Sequence, residues 1–161
     1  VSSFRTGIGF DVHPFSGDPA RRLVLGGVVV EGERGLAGHS DADAVCHALA
    51  DALLGAAGLG DIGDHFPDTD PSLEGSDSVV LLRQVCDRIE RAGWRCANAD
   101  VTVVAERPRL APYRSLMQEK LEEVVGAPVN VKATRMEGLG ALGRSEGVAA
   151  LASVLLYRAQ H

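Results

Sequence analysis

The chain has 161 residues and a formal net charge of −6, with 45% hydrophobic and 24% charged residues. That length fits one domain able to bury about two-thirds of its unfolded surface, and the composition excludes a disordered or collagen-like chain. The negative charge argues against nucleic acid as a partner, and the longest nearly apolar run, Gly147 to Tyr157, is too short to cross a bilayer.

Three cysteines, Cys46, Cys86 and Cys96, without CxxC spacing speak against a disulfide framework or a cysteine zinc site. No basic start leads into an apolar leader segment. Together these set the expectation of a cytoplasmic protein.

Residues 5–13 alternate, with Thr6, Ile8, Phe10 and Val12 on one side and Gly7, Gly9, Asp11 and His13 on the other. This predicts a half-buried strand with the Ile8–Val12 side in the core. Residues 23–30 read as a second strand bent or bulged at Gly26-Gly27. Ser40 is placed to cap a helix, with Asp43 three residues on as a short-armed capping box. Val45, Leu49, Ala52, Leu53 and Ala56 follow at helical spacing up to Gly58 and Gly60. A helix over 77–92 turns Val80, Leu81, Val85 and Ile89 inward.

Residues 98–106 alternate again, 111–125 predict a helix closed by Gly126, and 128–135 a strand. Residues 146–158 suit a buried strand or a buried helix, and their small and β-branched content favours the strand. The pattern predicts an α+β single domain over 1–161, a mixed β-sheet covered on one face by helices.

Four clusters carry chemistry. Asp11 and His13 leave one strand face together, two ready ligands for a divalent metal or two polar residues on a wet face. In Gly38 to His47, His47 is a third candidate ligand, with Asp43 or Asp51 spaced to hold its other ring nitrogen. Asp, His and His leave one tetrahedral position open, as catalytic sites do. His39 precedes the helix start, where phosphate is attracted.

Gly60 to Pro71, with Asp61, Asp64, Asp68 and Asp70 between Gly and Pro, is a turn-rich loop of the kind that carries function. Ala133 to Gly147 sets Thr134, Arg135, Glu137, Arg144 and Glu146 around four glycines, a composition that suits phosphate without being a Walker A loop.

Together, GIGFDVHPF (7–15), GHSDADAVCHALADALLGAAGLGDIGDHFPDTDP (38–71) and VKATRMEGLGALGRSEGVAA (131–150) resemble the 2-C-methyl-D-erythritol 2,4-cyclodiphosphate synthases of the non-mevalonate isoprenoid pathway. The resemblance implies a homotrimer with active sites at subunit interfaces. It implies a substrate, 4-diphosphocytidyl-2-C-methyl-D-erythritol 2-phosphate, that cyclises by intramolecular phosphoryl transfer with loss of CMP.

By the same resemblance Asp11, His13 and His47 are zinc ligands, and Glu137 is the ligand of a Mg²⁺ or Mn²⁺ ion on the diphosphate. His39 and Ser40 contact substrate phosphate. Asp61, Ile62 and Gly63 meet the methylerythritol hydroxyls, beside a loop of Phe66, Pro67, Asp68, Thr69 and Asp70. The cytidine pocket is Ala105, Glu106, Arg107, Pro108, Arg109, Leu110 and Ala111. Thr134, Arg135 and Met136 meet cytidine and diphosphate. Ala141 and Arg144 belong to a trimer-axis cavity that takes isoprenoid diphosphates.

Three positions depart from the family. Arg135 and Met136 stand where threonines are usual, so Arg135 either replaces a catalytic hydroxyl by its charge or leaves that role vacant. Ala141 stands where Phe is common. A metal-stabilised trimeric binding module without activity, and a metal-dependent phosphohydrolase, are the competing readings.

Overall fold

The computed structural model describes residues 3–159. Its main sheet takes β1 (Phe4–Pro14), β4 (Trp94–Val104), β5 (Val129–Thr134) and β6 (Gly147–Arg158) in the order β1-β6-β4-β5. β6 runs antiparallel to both β1 and β4, and β4 is parallel to β5, so the sheet is mixed as predicted. The ambiguous C-terminal run is therefore a strand, and its even-numbered residues Val148 to Leu156 are buried.

Helices α1 (Ala44–Ala57), α3 (Ser78–Arg91) and α4 (Arg114–Val125) pack on one face of this sheet. Short turns α2 (Ile62–His65) and α5 (Gly140–Gly143) complete the helices. No helix among the described residues is long and apolar enough to cross a membrane.

The buried side of β1 is the reverse of the one predicted. Ile8, Phe10 and Val12 are 75%, 55% and 48% exposed. Gly7 and Gly9 face α1 instead, where an added Cβ would collide with the carbonyl oxygens of Ala52 and Ala48. Without side chains the strand lets the helix backbone lie directly on it, and close approach replaces bulk as the source of burial. Ile8, Phe10 and Val12 instead share the sheet's open face with Leu151 of β6, which lies opposite Phe10.

The second predicted strand is two. β2 (Arg22–Leu25) and β3 (Val28–Arg34) form a hairpin, with Gly26 and Gly27 as its turn at φ 58° and 72°. Glycine adopts two such values in succession without strain.

Asp43, not Ser40, caps α1. Its carboxylate, fully buried, accepts from Val45 and Cys46 at 3.1 Å each, and also from Gly26 at 2.9 Å and Gly27 at 2.7 Å. Burial raises the Asp43 pKa, four amide donors offset part of that cost, and they fasten the hairpin to the helix start. Gly58, in the left-handed region, closes the helix as expected. In α3, Val80 is half exposed instead of inward, while Leu81, Leu82, Val85 and Ile89 are buried.

Candidate metal centre and adjoining cavities

Asp11 and His13 lie near the C-terminal end of β1, and His47 lies on the first turn of α1 that faces them. Oδ2 of Asp11 is 2.8 Å from Nε2 of His13 and 3.2 Å from Nδ1 of His47. The two ring nitrogens are 3.3 Å apart. The residues predicted as ligands from separate segments thus converge on one point.

The tautomers decide what that point can bind. Nδ1 of His13 lies 2.9 Å from the carbonyl of Ala37, so it carries the proton and Nε2 presents a lone pair. Nε2 of His47 faces the hydroxyls of Ser78 at 2.9 Å and Ser40 at 3.2 Å. With both imidazoles neutral, three lone pairs meet, and among the described residues the buried Oδ2 of Asp11 then has no hydrogen-bond donor. A divalent cation satisfies all three, and one carboxylate with two imidazoles is a donor set that such ions take.

Protons compete for the same point. Burial works against the Asp11 carboxylate, but His13 and His47 outweigh it and hold Asp11 well below the ordinary carboxylate range. Burial works against the His47 imidazolium too, yet Asp11 beside it, with Asp43 and Asp41 beyond, raises its pKa above 6.5.

Neither acid expected to hold His47 does so. Asp43 is spent on the helix cap, and Oδ1 of Asp51 accepts from the Ile62 amide at 2.7 Å. Arg21 fixes the approach to the helix, donating to the carbonyls of Leu36 and Ser40 at 2.7 Å each. Gly38 leaves room for His13, since a Cβ there would come within 3.1 Å of the ring.

The three ligands open into a cavity of about 550 Å³ that also admits His39, Ser40, Ile62, Gly63, Phe66, Pro67 and Asp68. Asp61 does not line it. Its side chain caps α2 in a reciprocal capping box with Asp64. Thr69 and Asp70 also lie off the lining, though the Asp70 carbonyl sits 2.9 Å from Nε2 of His39.

A second cavity, of about 450 Å³, is lined by Ala105, Glu106, Pro108, Arg109, Leu110 and Ala111 together with Thr134 and Arg135. Two predicted segments from separate strands thus share one hollow, while Arg107, Met136 and Glu137 stand outside its lining. Glu106 braces it, its Oε1 accepting from the Met136 amide at 2.6 Å. Glu137 is exposed, 3.8 Å from Arg135. Ala141 and Arg144 belong to neither cavity, and Arg144 donates to Glu146 at 2.7 Å.

The sequence reading gave no role to Asp41, to Ser78, or to Arg114, which lines the second cavity and donates to the Val131 carbonyl at 2.8 Å. Asp41 was legible as a candidate within its Ser-Asp-x-Asp cluster. Ser78 carried no signal beyond its place after a helix cap.

The fold and site define a two-layer α+β domain with a candidate Asp-His-His metal centre at the β1 edge of the sheet and a second, loop-lined hollow toward the β5 edge. The chain belongs to the YgbB family, whose profile matches residues 4–157. It is 55% identical over 155 residues to the 2-C-methyl-D-erythritol 2,4-cyclodiphosphate synthase of Moorella thermoacetica, covering 94% of each chain. It is also 55% identical over 157 residues to the bifunctional enzyme IspD/IspF of Anaeromyxobacter dehalogenans. There it covers 96% of this chain but 40% of the relative. A solved 2C-methyl-D-erythritol-2,4-cyclodiphosphate synthase in a CDP-bound form superposes with a TM-score of 0.84 at 39% identity, covering 94% of this chain and 99% of that one.

Proposed function

We propose that this chain is a lyase that converts 4-diphosphocytidyl-2-C-methyl-D-erythritol 2-phosphate to 2-C-methyl-D-erythritol 2,4-cyclodiphosphate and CMP, in isoprenoid precursor biosynthesis. An oxygen of the 2-phosphate attacks the β-phosphorus, the bond to the α-phosphate oxygen breaks, and CMP leaves with that oxygen. The observation that carries this reading is the convergence of Asp11, His13 and His47 at the mouth of a cavity edged by His39 and Ser40.

Intramolecular phosphoryl transfer asks mainly for positioning and charge neutralisation. Asp11, His13 and His47 would hold zinc, which would supply Lewis acidity toward phosphate oxygens. His39 and Ser40 orient the phosphate, and His39 serves as a catalytic residue. Ile62, Gly63 and the Phe66–Asp70 loop enclose the methylerythritol, with Asp61 shaping the turn by its cap. The 105–111 loop with Thr134 and Met136 receives cytidine. Arg135 turns a guanidinium on the diphosphate, and Glu137 offers oxygen to Mg²⁺ or Mn²⁺.

The metal cavity belongs to β1 and the second cavity to β4 and β5, so the two lie at opposite edges of the sheet. One substrate with both a metal-held phosphate and a nucleoside therefore needs the β5 edge of one chain beside the β1 edge of another. The exposed Ile8, Phe10 and Val12 face supports the same conclusion, since monomers rarely leave such a patch open. The assembly is a homotrimer of one domain per chain, spanning residues 1–161, in the cytoplasm, and Ala141 and Arg144 face its axis, where an isoprenoid diphosphate fits.

Phosphorus NMR of the purified protein with this substrate and Mg²⁺ tests the reading. Cyclic diphosphate with CMP is expected. A linear hydrolysis product, or unchanged substrate with folded, metal-loaded protein, would overturn it.

A further inference from the structure

Ser78 is the first residue of α3, yet its hydroxyl reaches the metal centre. It lies 2.9 Å from Nε2 of His47, nearer than Ser40 at 3.2 Å. The same hydroxyl donates to Oδ1 of Asp41 in a short hydrogen bond, and the Ser78 amide donates to Oδ2 of Asp41 at 3.1 Å. Ser78 is only 1% exposed, which shields these contacts from solvent.

A hydroxyl has one proton. With that proton committed to a carboxylate, Ser78 can only accept from His47. Nε2 of His47 must then carry hydrogen, and Nδ1 turns a lone pair toward Asp11 and His13.

This assignment has an opponent. Oδ2 of Asp11, 3.2 Å from Nδ1, favours a proton on that nitrogen, the wrong one for a ligand. Two carboxylates compete for one imidazole proton, Asp11 directly and Asp41 through Ser78. His13 settles the same question more simply, with a backbone carbonyl at 2.9 Å.

We propose that Asp41 and Ser78 are positioning residues that hold His47 in its Nε2–H tautomer and so keep Nδ1 as a metal ligand. The proposal rests on the metal reading given above. It differs from it in concerning only the tautomer that this chain imposes before any ion arrives.

The test uses the full chain, stripped of metal, as wild type, Ser78→Ala and Asp41→Asn. Long-range ¹⁵N–¹H imidazole spectra at mildly alkaline pH report the His47 tautomer. Zn²⁺ competition against a chromogenic chelator reports affinity, and circular dichroism confirms folding. The wild type should show Nε2–H. Ser78→Ala should move His47 toward Nδ1–H and weaken Zn²⁺ binding by about 10–100-fold, as loss of such an outer partner does. Asp41→Asn, isosteric and able to accept without charge, should fall between.

Wild-type affinity and an unchanged Nε2–H tautomer in both variants would overturn the proposal, as would Nδ1–H in the wild type. If Ser78→Ala fails to fold, Asp41→Asn decides alone. A wild type that takes up no zinc yet shows Nε2–H sinks the metal reading and leaves the tautomer assignment standing.

Discussion

Oδ2 of Asp11 and Nδ1 of His47 lie 3.2 Å apart, one carried by a strand and the other by the helix packed on it. That separation makes metal and proton rivals for one position. Asp11, outweighing the effect of burial, raises the His47 pKa above its ordinary value, so below that raised pKa a proton must leave for a cation to enter, while Asp11, held well below the ordinary carboxylate range, stays ionised. Zn²⁺ affinity should be flat above the His47 pKa and fall by about tenfold per pH unit below it, the slope of one displaced proton. A chelator competition series across pH checks this, and affinity that does not weaken toward acid would contradict it. For the metal-free fold the sign is the opposite. The raised pKa stabilises fully below the unfolded value, and that contribution is lost as pH rises through the folded value.

His47→Ala removes one of three donors. Bound metal, measured by mass spectrometry of the digested protein, should fall to background, and turnover should drop by about a hundredfold or more. The oligomer should stay assembled, because the exposed sheet face does not include His47. Full metal content in this variant would refute the ligand assignment.

Gly9→Ala places a methyl against the carbonyl of Ala48, a backbone atom of α1 that cannot swing aside. The variant should lose about 3 kcal/mol, the upper range of overpacking costs. Its urea midpoint should fall while the slope is retained, and an unchanged midpoint would mean that strand and helix separate easily.

Phe10→Asp puts a charge in the middle of the open apolar face of β1 and β6. Light scattering on a sizing column should show the proposed trimer replaced by monomer. A trimer that survives the substitution would move the interface elsewhere.

Arg135 is exposed and, among the described residues, pairs with Glu137 at 3.8 Å, a pairing worth little to stability. Arg135→Thr should therefore leave the fold intact, and because Thr supplies the family's usual hydroxyl in place of the guanidinium on the diphosphate, turnover should be kept or raised in steady-state assays. A collapse in rate with the fold intact would mean that the guanidinium carries a part a hydroxyl cannot take.

The sequence by itself marked the periodic elements and the candidate ligands. The helix expected from Ser40 starts at Ala44 and ends at Gly58 as its glycine marked, the strand expected over 128–135 spans Val129–Thr134, and Asp11, His13 and His47 were legible as candidates because carboxylate and imidazole are donors a divalent metal takes. Tertiary structure alone decided which side of β1 is buried. Alternation labels Ile8, Phe10 and Val12 as core, but burial follows contact, and only the glycines let α1 come close enough to make it. It likewise decided which acid serves His47. Asp43 and Asp51 share its helix face, yet the hairpin turn claims the first and the Ile62 amide the second. Asp41 reaches the imidazole through Ser78, a hydroxyl carried in by another helix, because hydrogen bonds between distant segments depend on how the layers pack and not on spacing along the chain.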